Sequence, residues 1–243
     1  MKITAFNGSP RGESGNTHVM VEEFLQGAAG AGAETENIPL AKKRIGHCLG
    51  CLKCWLATPG ECVIKDDMSG LLEKFASSDL VVFATPLYVD NVTGIMKNFM
   101  DRLIPMGDPH FDKDEGGECR HRTVRGKAPA FAVISNCGFP EQSHFQVLKL
   151  LFARVARNFS TKVVAEIYRG GGAILKDTPL LAQPLVCNYK RLLRKAGGEM
   201  AKSMMLSKET MDALNRPIVP ENMYIKSANE YFDSVLNKLK KDS

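Results

Sequence analysis

Asn7-Gly8-Ser9-Pro10-Arg11-Gly12-Glu13-Ser14-Gly15-Asn16-Thr17 is the stretch from which the fold of this chain is read. It follows a short apolar strand, Ile3 to Phe6. It precedes a helical pattern in which Val19, Val21, Phe24, Leu25 and Ala28 share one face. A strand that breaks into a Gly/Ser-rich turn and then a helix aims free backbone N–H groups at one point. With the positive end of the helix dipole they form an anion site. The hydroxyls of Ser9, Ser14 and Thr17 and the amide of Asn16 add side-chain donors, and Arg11 adds a charge. The stretch reads as a phosphate site that later loops complete. An ordinary capped turn is the plainer alternative.

A chain of 243 residues suits one sizeable α/β domain, or one domain plus an extension. With 44% hydrophobic and 24% charged residues, it is neither disordered nor membrane-embedded in composition. The first strand begins without a signal peptide, and no apolar run approaches the roughly 20 residues that span a bilayer. The expectation is a soluble, cytoplasmic protein with no membrane partner. A scattered net charge of +5 suits an anionic cofactor or substrate and argues little for nucleic acid. The densest basic patch, Arg120, His121, Arg122 and Arg125, follows acidic residues between Asp112 and Glu118, which a solvated loop explains as well as a binding surface.

Strands and helices alternate along the chain. The first strand, Lys2 to Asn7, leads through the loop to a helix from Gly15 to Ala31. Glu34 to Leu40 is a polar second strand, suited to a sheet edge. Ala41 to Asp67 is a long connection, of a length that is usually functional. Met68 to Ala76 is a short helix. Leu80 to Ala84 is a continuous apolar run, a strand buried on both faces, and it stops at Thr85-Pro86. A second loop, Leu87 to Thr93, precedes a helix from Gly94 to Leu103, on which Ile95, Phe99, Arg102 and Leu103 lie close to one face. Pro105 to Lys127 is a polar excursion with little periodicity. Pro129 to Ser135 is the next buried strand, followed by the loop Asn136 to Glu141 and a helix from Gln142 to Phe159. Lys162 to Tyr168 is the fifth strand, ending at Arg169-Gly170-Gly171-Gly172. From about Pro179 the pattern is helical, broken near Arg216-Pro217 and Pro220. Its last segment, Ala228 to Lys241, is amphipathic through Tyr231, Phe232, Val235, Leu236 and Leu239. The alternation implies a parallel sheet with right-handed crossovers. The expected division is a domain over 1–178, with a cysteine-rich loop at 41–67, and a helical extension over 179–243 that packs on the domain or on a partner subunit.

In an open parallel sheet, ligands sit at the carboxyl ends of the strands. Three loops gather there. Gly8 to Thr17 supplies phosphate donors. Pro86, Leu87 and Tyr88 supply an apolar wall with one aromatic face. Asn136, Cys137 and Gly138 supply backbone N–H groups. A planar aromatic cofactor with a phosphate tail uses such a set.

Gly8-Ser9-Pro10-Arg11 with Asn16-Thr17, and Thr85-Pro86-Leu87-Tyr88 followed by Gly94-Ile95-Met96-Lys97-Asn98-Phe99-Met100-Asp101-Arg102, resemble the phosphate loop, second flavin loop and following helix of the flavodoxin-like NADPH-dependent FMN reductase family. The resemblance covers roughly residues 1–175. It implies a five-stranded, doubly wound sheet of order 2-1-3-4-5. It also implies FMN held at its phosphate by Ser9, Arg11, Ser14, Asn16 and Thr17, and along the ring and ribityl chain by Pro86, Leu87, Tyr88 and Asn91. Asn136, Cys137 and Gly138 occupy the third loop, with which the family also touches the ring. A core aromatic is the alternative for Tyr88, and a structural ion pair for Asp101 and Arg102. The family also implies association, here a homodimer or tetramer.

Cys48, Cys51, Cys54 and Cys62 form C-x2-C-x2-C-x7-C. Tight spacings of this kind let thiolates converge on one cubane. The last gap is longer than in ferredoxin runs and no Pro follows Cys62. The layout resembles that of the iron–sulfur flavoproteins, a flavodoxin-like subgroup, and implies a 4Fe–4S cluster passing single electrons to and from FMN. Tetrahedral zinc, redox-active dithiols and reduced thiols kept for packing are the alternatives. Gly60, Asp66 and Asp67 read as turn and helix-start residues, and Cys119, Cys137 and Cys187 as incidental thiols.

The expected activity is electron transfer from NAD(P)H or a redox protein, through FMN, to a small-molecule or protein acceptor. The flavin carries the redox chemistry, and no side chain stands out as a catalytic acid, base or nucleophile. NAD(P)H binds at most transiently, since no G-x-G-x-x-G fingerprint is present. The rival functions are an iron–sulfur flavoprotein electron carrier and a thiol-based redox sensor.

Overall fold

The computed structural model describes residues 1–123 and 128–240. Arg125 of the basic patch, Lys127 and Lys241 lie outside them. The elements run β1 (Lys2–Asn7), α1 (Asn16–Gly30), β2 (Glu34–Pro39), α2 (Lys53–Leu56), α3 (Met68–Ala76), β3 (Leu80–Pro86), α4 (Gly94–Asp101), β4 (Gly107–Lys113), β5 (Cys119–Thr123), β6 (Ala130–Asn136), α5 (Gln146–Asn158), β7 (Val163–Arg169), α6 (Gln183–Ser203), α7 (Lys208–Asn215) and α8 (Glu221–Leu239).

Five strands form one parallel sheet in the order β2-β1-β3-β6-β7. With the β4–β5 hairpin set aside, this is the expected order 2-1-3-4-5 of the flavodoxin-like fold. Every residue of β3 is buried, as its unbroken apolar run requires for a strand covered on both faces. One core packs α1 and α6 against the sheet through Phe24, Ala28, Tyr189, Leu193 and Met200. The other packs α3, α4 and α5 through Phe75, Phe99 and Phe152. Each such large apolar side chain contributes about 1.5–3 kcal/mol by leaving water.

Residues 107–123 depart from expectation. The excursion read as polar and of little periodicity holds an antiparallel hairpin, with Asp112 opposite Arg120 and Lys113 opposite Cys119. Its turn closes through Gly117 at φ 79° and the Asp114 carboxylate, which accepts from Glu118 N at 3.0 Å. Charged pairs hold it: Arg122 to Asp112 at 3.0 Å, and Arg157 of α5 to Asp114 at 2.7 Å. A hairpin fastened by charges rather than by a buried apolar face leaves no alternating pattern to read.

Two boundaries also move. The helix read from Gln142 starts as a 3-10 turn, Gln142–Phe145, before α5. α4 ends at Asp101, so Arg102 and Leu103 lie in the turn beyond it.

After β7, α6 lies directly on α1. A Cβ on Gly197 would stand 1.8 Å from Phe24 O, and one on Gly27 1.9 Å from Arg194 O. The two backbones therefore touch where neither helix carries a side chain. Arg169, buried at the end of β7, donates to the carbonyls of Leu214 and Arg216 and lies over the Tyr189 ring, fastening α6 and α7 to the sheet. α8 carries no buried residue, and Tyr231, Phe232, Leu236 and Leu239 are exposed on it. No helix among the described residues is long and apolar enough to cross a membrane.

Candidate functional site

The loops after β1, β3 and β6 meet at the carboxyl edge of the sheet and are tied to one another. Gly8 N donates to Ala84 O and Leu87 N to Asn136 O, both at 2.8 Å. Thr93 Oγ1 donates to Gly8 O, and Asn136 Nδ2 to Thr17 Oγ1, both at 2.7 Å. Gly8 is needed for this closeness, since a Cβ there would lie 2.7 Å from Met96 Cβ of α4.

In the first loop Ser9, Asn16 and Thr17 are buried, while Arg11 and Ser14 are exposed. Ser9 N donates to Asn7 Oδ1 at 3.0 Å, and Ser14 Oγ is engaged locally with Arg11 O at 2.8 Å. Gly15, the N-cap residue of α1, offers no side chain to the first turn, whose N–H groups therefore look for an outside acceptor. Asn16 Oδ1 is buried with no partner among the described residues. Its amide can present either end to a ligand. An uncapped helix start, a buried unmet amide and hydroxyls at Ser9 and Thr17 are a donor set that fits a phosphate ester with a hydroxylated tail.

In the second loop Tyr88 and Asn91 exchange backbone hydrogen bonds at 3.0 and 3.1 Å around Val89 and Asp90, which sit at φ 49° and 55°. Both central residues are thus left-handed, a type I′ turn. Pro86 is buried and Leu87 half-buried, whereas Tyr88 is 46% exposed, so its ring is a surface facet and not a core aromatic. Asn91 is exposed, and its Oδ1 accepts from Val92 N.

In the third loop Asn136 and Cys137 are buried and Gly138 is exposed. Burial pushes the Cys137 thiol up to about 11, against a hydrogen bond to Phe139 and with Glu141 and Asp90 adding to the rise. At neutral pH it is a protonated, unreactive thiol. His144 sits between Glu141 at 3.3 Å and Asp90 of the second loop at 3.8 Å, under the stacked ring of Phe139.

Cys48, Cys51, Cys54 and Cys62 all line one small cavity of about 20 Å³, with Arg102 in its wall. The chain turns through left-handed Gly50 and Leu52 to bring them there. Burial, then Cys62, and further Cys48 and Cys51, hold the Cys54 thiol above its ordinary value, against a backbone hydrogen bond. Four free thiols on the wall of one cavity are a donor set that fits a thiolate-bound group. Among the described residues no three His, Cys, Asp or Glu side chains stand close enough to share a single ion. Trp55, whose indole N–H donates to Ile104 O at 3.0 Å, packs at a tilt against His121, with ring centroids 4.8 Å apart, and so sets the β4–β5 hairpin beside the cysteine loop. Asp101 and Arg102 do not pair with each other. Asp101 takes Lys97 at 2.6 Å, and Arg102 takes Asp66 at 2.7 Å. Cys119 and Cys187 are exposed and free.

Several residues that come to these loops stand outside the sequence reading. Thr93, the N-cap of α4, could have been noticed as a hydroxyl just before a helix. Lys176, whose Nζ donates to Ser14 O at 2.7 Å, and Tyr224, whose hydroxyl donates to Gly138 O at 2.8 Å, carry no local signal.

The profile of the family described as NADPH-dependent FMN reductase matches residues 1–166, and the chain belongs to that family. An iron-sulfur flavoprotein of Archaeoglobus fulgidus is 36% identical over 144 residues, covering 58% of each chain. One of Methanocaldococcus jannaschii is 40% identical over 106 residues, covering 44% of this chain and 53% of that protein. The matches thus span little more than half the length of these relatives. Among solved structures, an FMN-dependent NADH-azoreductase of Bacillus anthracis in complex with FMN superposes with a TM-score of 0.60 at 16% identity, covering 82% of this chain and 99% of that one. An NAD(P)H:quinone oxidoreductase of Methanothermobacter marburgensis superposes at 0.57 and 15% identity, covering 82% and 96%. At these identities the likeness is one of fold.

Proposed function

We propose that this member of the NADPH-dependent FMN reductase family binds FMN across the three joined loops and passes electrons from NAD(P)H or a redox protein to a small-molecule or protein acceptor. The observation that carries the reading is the closure of the phosphate loop onto the other two by Thr93–Gly8 and Asn136–Thr17, around an uncapped helix start. Ser9, Arg11, Ser14, Asn16 and Thr17 hold the phosphate. Pro86, Leu87, Tyr88 and Asn91 flank the ring and ribityl chain, and Asn136, Cys137 and Gly138 close the far side. When bound, FMN supplies the exchange between two-electron and one-electron chemistry. The protein orients it and leaves Tyr88 exposed at the rim, where a nicotinamide or acceptor stacks. Reconstitution with FMN tests this: a protein that stays colourless, without flavin fluorescence quenching on titration, ends the flavin reading.

The same proposal places a 4Fe–4S cluster on Cys48, Cys51, Cys54 and Cys62. A single zinc ion needs four sulfurs about 3.8 Å apart at ordinary Zn–S lengths. A cubane gives each thiolate its own iron and lets the sulfurs stand further apart around a shared cavity. The likeness to relatives named iron-sulfur flavoproteins supports the cluster. Equal amounts of iron and acid-labile sulfide after anaerobic reconstitution, lost in Cys54→Ala, are the expected result.

A pure electron carrier is the second reading. It is favoured by Cys62, which also lines a separate cleft of about 400 Å³ with Arg44, Lys65 and Glu73, where a redox partner can approach a ligand sulfur. NADPH oxidation that needs no added protein acceptor favours the enzyme. We also assign the reductase unit to 1–178 and association, as a homodimer or tetramer in the cytoplasm, to the extension over 179–243, whose exposed Tyr231, Phe232 and Leu236 suit a subunit contact. A monomer by sedimentation with FMN bound would overturn the association.

A further inference from the structure

Arg102 and Arg169 head the large side chains that are fully buried, and Arg102 is 1% exposed. Its Nη1 donates to Gly46 O and to Asp66 Oδ2, both at 2.7 Å, and its Nη2 to Asp66 Oδ1 at 3.0 Å. Gly46 precedes Cys48 and Asp66 follows Cys62, so one guanidinium staples both ends of the cysteine loop. Its Nε is different. It is buried and has no hydrogen-bond partner among the described residues. A buried cation that leaves an N–H unmet is costly. Arg169 Nε is buried and unmet as well, and Arg102 differs from it in what surrounds it. The side chain lines the cavity that the four thiols share.

Asp66 alone accounts for a structural pair. It does not account for a fully buried guanidinium set in the wall of a thiol cavity with a donor to spare. We propose that Arg102 is the positioning and charge-compensating residue of the cysteine-bound cluster, its Nε–H donating to the Cys62 thiolate. The inference rests on the cluster reading above. A reduced cluster carries one more negative charge than an oxidised one, and a cationic donor on a ligand sulfur favours the more negative form. Arg102 therefore raises the cluster's reduction potential.

Potentiometric titration of the anaerobically reconstituted full chain, followed by EPR, tests this. Arg102→Gln is made in an Asp66→Asn background, so that no carboxylate is stranded, and is compared with Asp66→Asn alone. The double variant is expected to hold the same iron and sulfide. Its reduced-to-oxidised ratio at fixed potential should fall about tenfold, about 59 mV for one electron. Arg102→Lys, which keeps the charge and loses the Nε–H, should give an intermediate fall. Equal midpoints with equal iron overturn the assignment and leave Arg102 a structural staple. Should the double variant bind no iron, Arg102→Lys decides, and an unchanged midpoint there overturns the assignment. A wild-type chain that takes up no iron and sulfide overturns the cluster reading itself, and the assignment with it.

Discussion

Asn136 donates its amide Nδ2 to Thr17 Oγ1 at 2.7 Å, joining the end of β6 to the first turn of α1 across 119 residues of sequence. Both side chains are buried. The bond has a direction: Thr17 accepts, so its hydroxyl hydrogen is free to point into the phosphate loop. Asn136→Asp reverses that direction, because a carboxylate only accepts and would draw the Thr17 hydrogen to itself. It also sets a negative charge beside the proposed phosphate site. Asn136→Asp is therefore expected to weaken FMN binding more than Asn136→Ala does. Thr17→Val should lose about 1–3 kcal/mol of binding, or roughly 5- to 150-fold in affinity. Fluorescence titration with FMN measures all three, and equal affinities for the Asp and Ala variants would refute the directional argument.

Val89 sits at φ 49° with 99% of its surface exposed. A β-branched residue in the left-handed region is strained, and no packing on this surface offsets it. Asn tolerates this backbone at no entropic penalty of the glycine kind. Val89→Asn should raise stability by about 1 kcal/mol. Thermal unfolding of the FMN-free protein reads the gain, and a lower midpoint would mean that Val89 is covered in solution.

What could be read from the sequence follows the physics of each segment. β3 and β6 are legible because a strand buried on both faces must be a continuous apolar run, and both meet Pro86 and Asn136 at the expected edge. The β4–β5 hairpin is not, because Arg122–Asp112 and Arg157–Asp114 hold it instead of an alternating apolar face. Arg102 reads as half of a local pair with Asp101 because the two are adjacent in sequence, while its true partner, Asp66, lies across the loop it staples. Of the three loops, the residue types and their meeting at one edge were readable. The ties between them, Thr93 to Gly8 and Asn136 to Thr17, depend on tertiary approach and leave no mark in any local pattern.

The contact of α6 with α1 gives a paired test. A Cβ on Gly197 would sit 1.8 Å from Phe24 O, which is backbone and cannot step aside. One on Gly198 would sit 3.5 Å from Gly27 O, an ordinary contact. Gly197→Ala should destabilise by about 3 kcal/mol or more through overpacking. Gly198→Ala should be neutral or gain up to about 1 kcal/mol from helix propensity. Denaturant unfolding of the two variants separates the outcomes, and equal effects would contradict the close approach of the helices.

The Asp66–Arg102 pair should appear in the acid stability of the iron-free protein. Burial pushes the Asp66 carboxyl up. The Arg102 guanidinium and the N–H groups of Gly46 and Met68 outweigh it and hold it below the ordinary value of 3.8. The unfolded chain, with its ordinary carboxyl, then binds the proton more tightly than the folded one. Stability from this group is full above 3.8 and is lost as the pH falls through the lowered folded value. Asp66→Asn strands a buried guanidinium and should cost about 3–5 kcal/mol at neutral pH. In acid the wild type loses the same carboxylate to protonation, so the gap between the two proteins should close. Urea unfolding of both at a series of pH values measures that gap. A difference that stays constant into acid would show that Asp66 does not stabilise the fold as an ionised partner of Arg102.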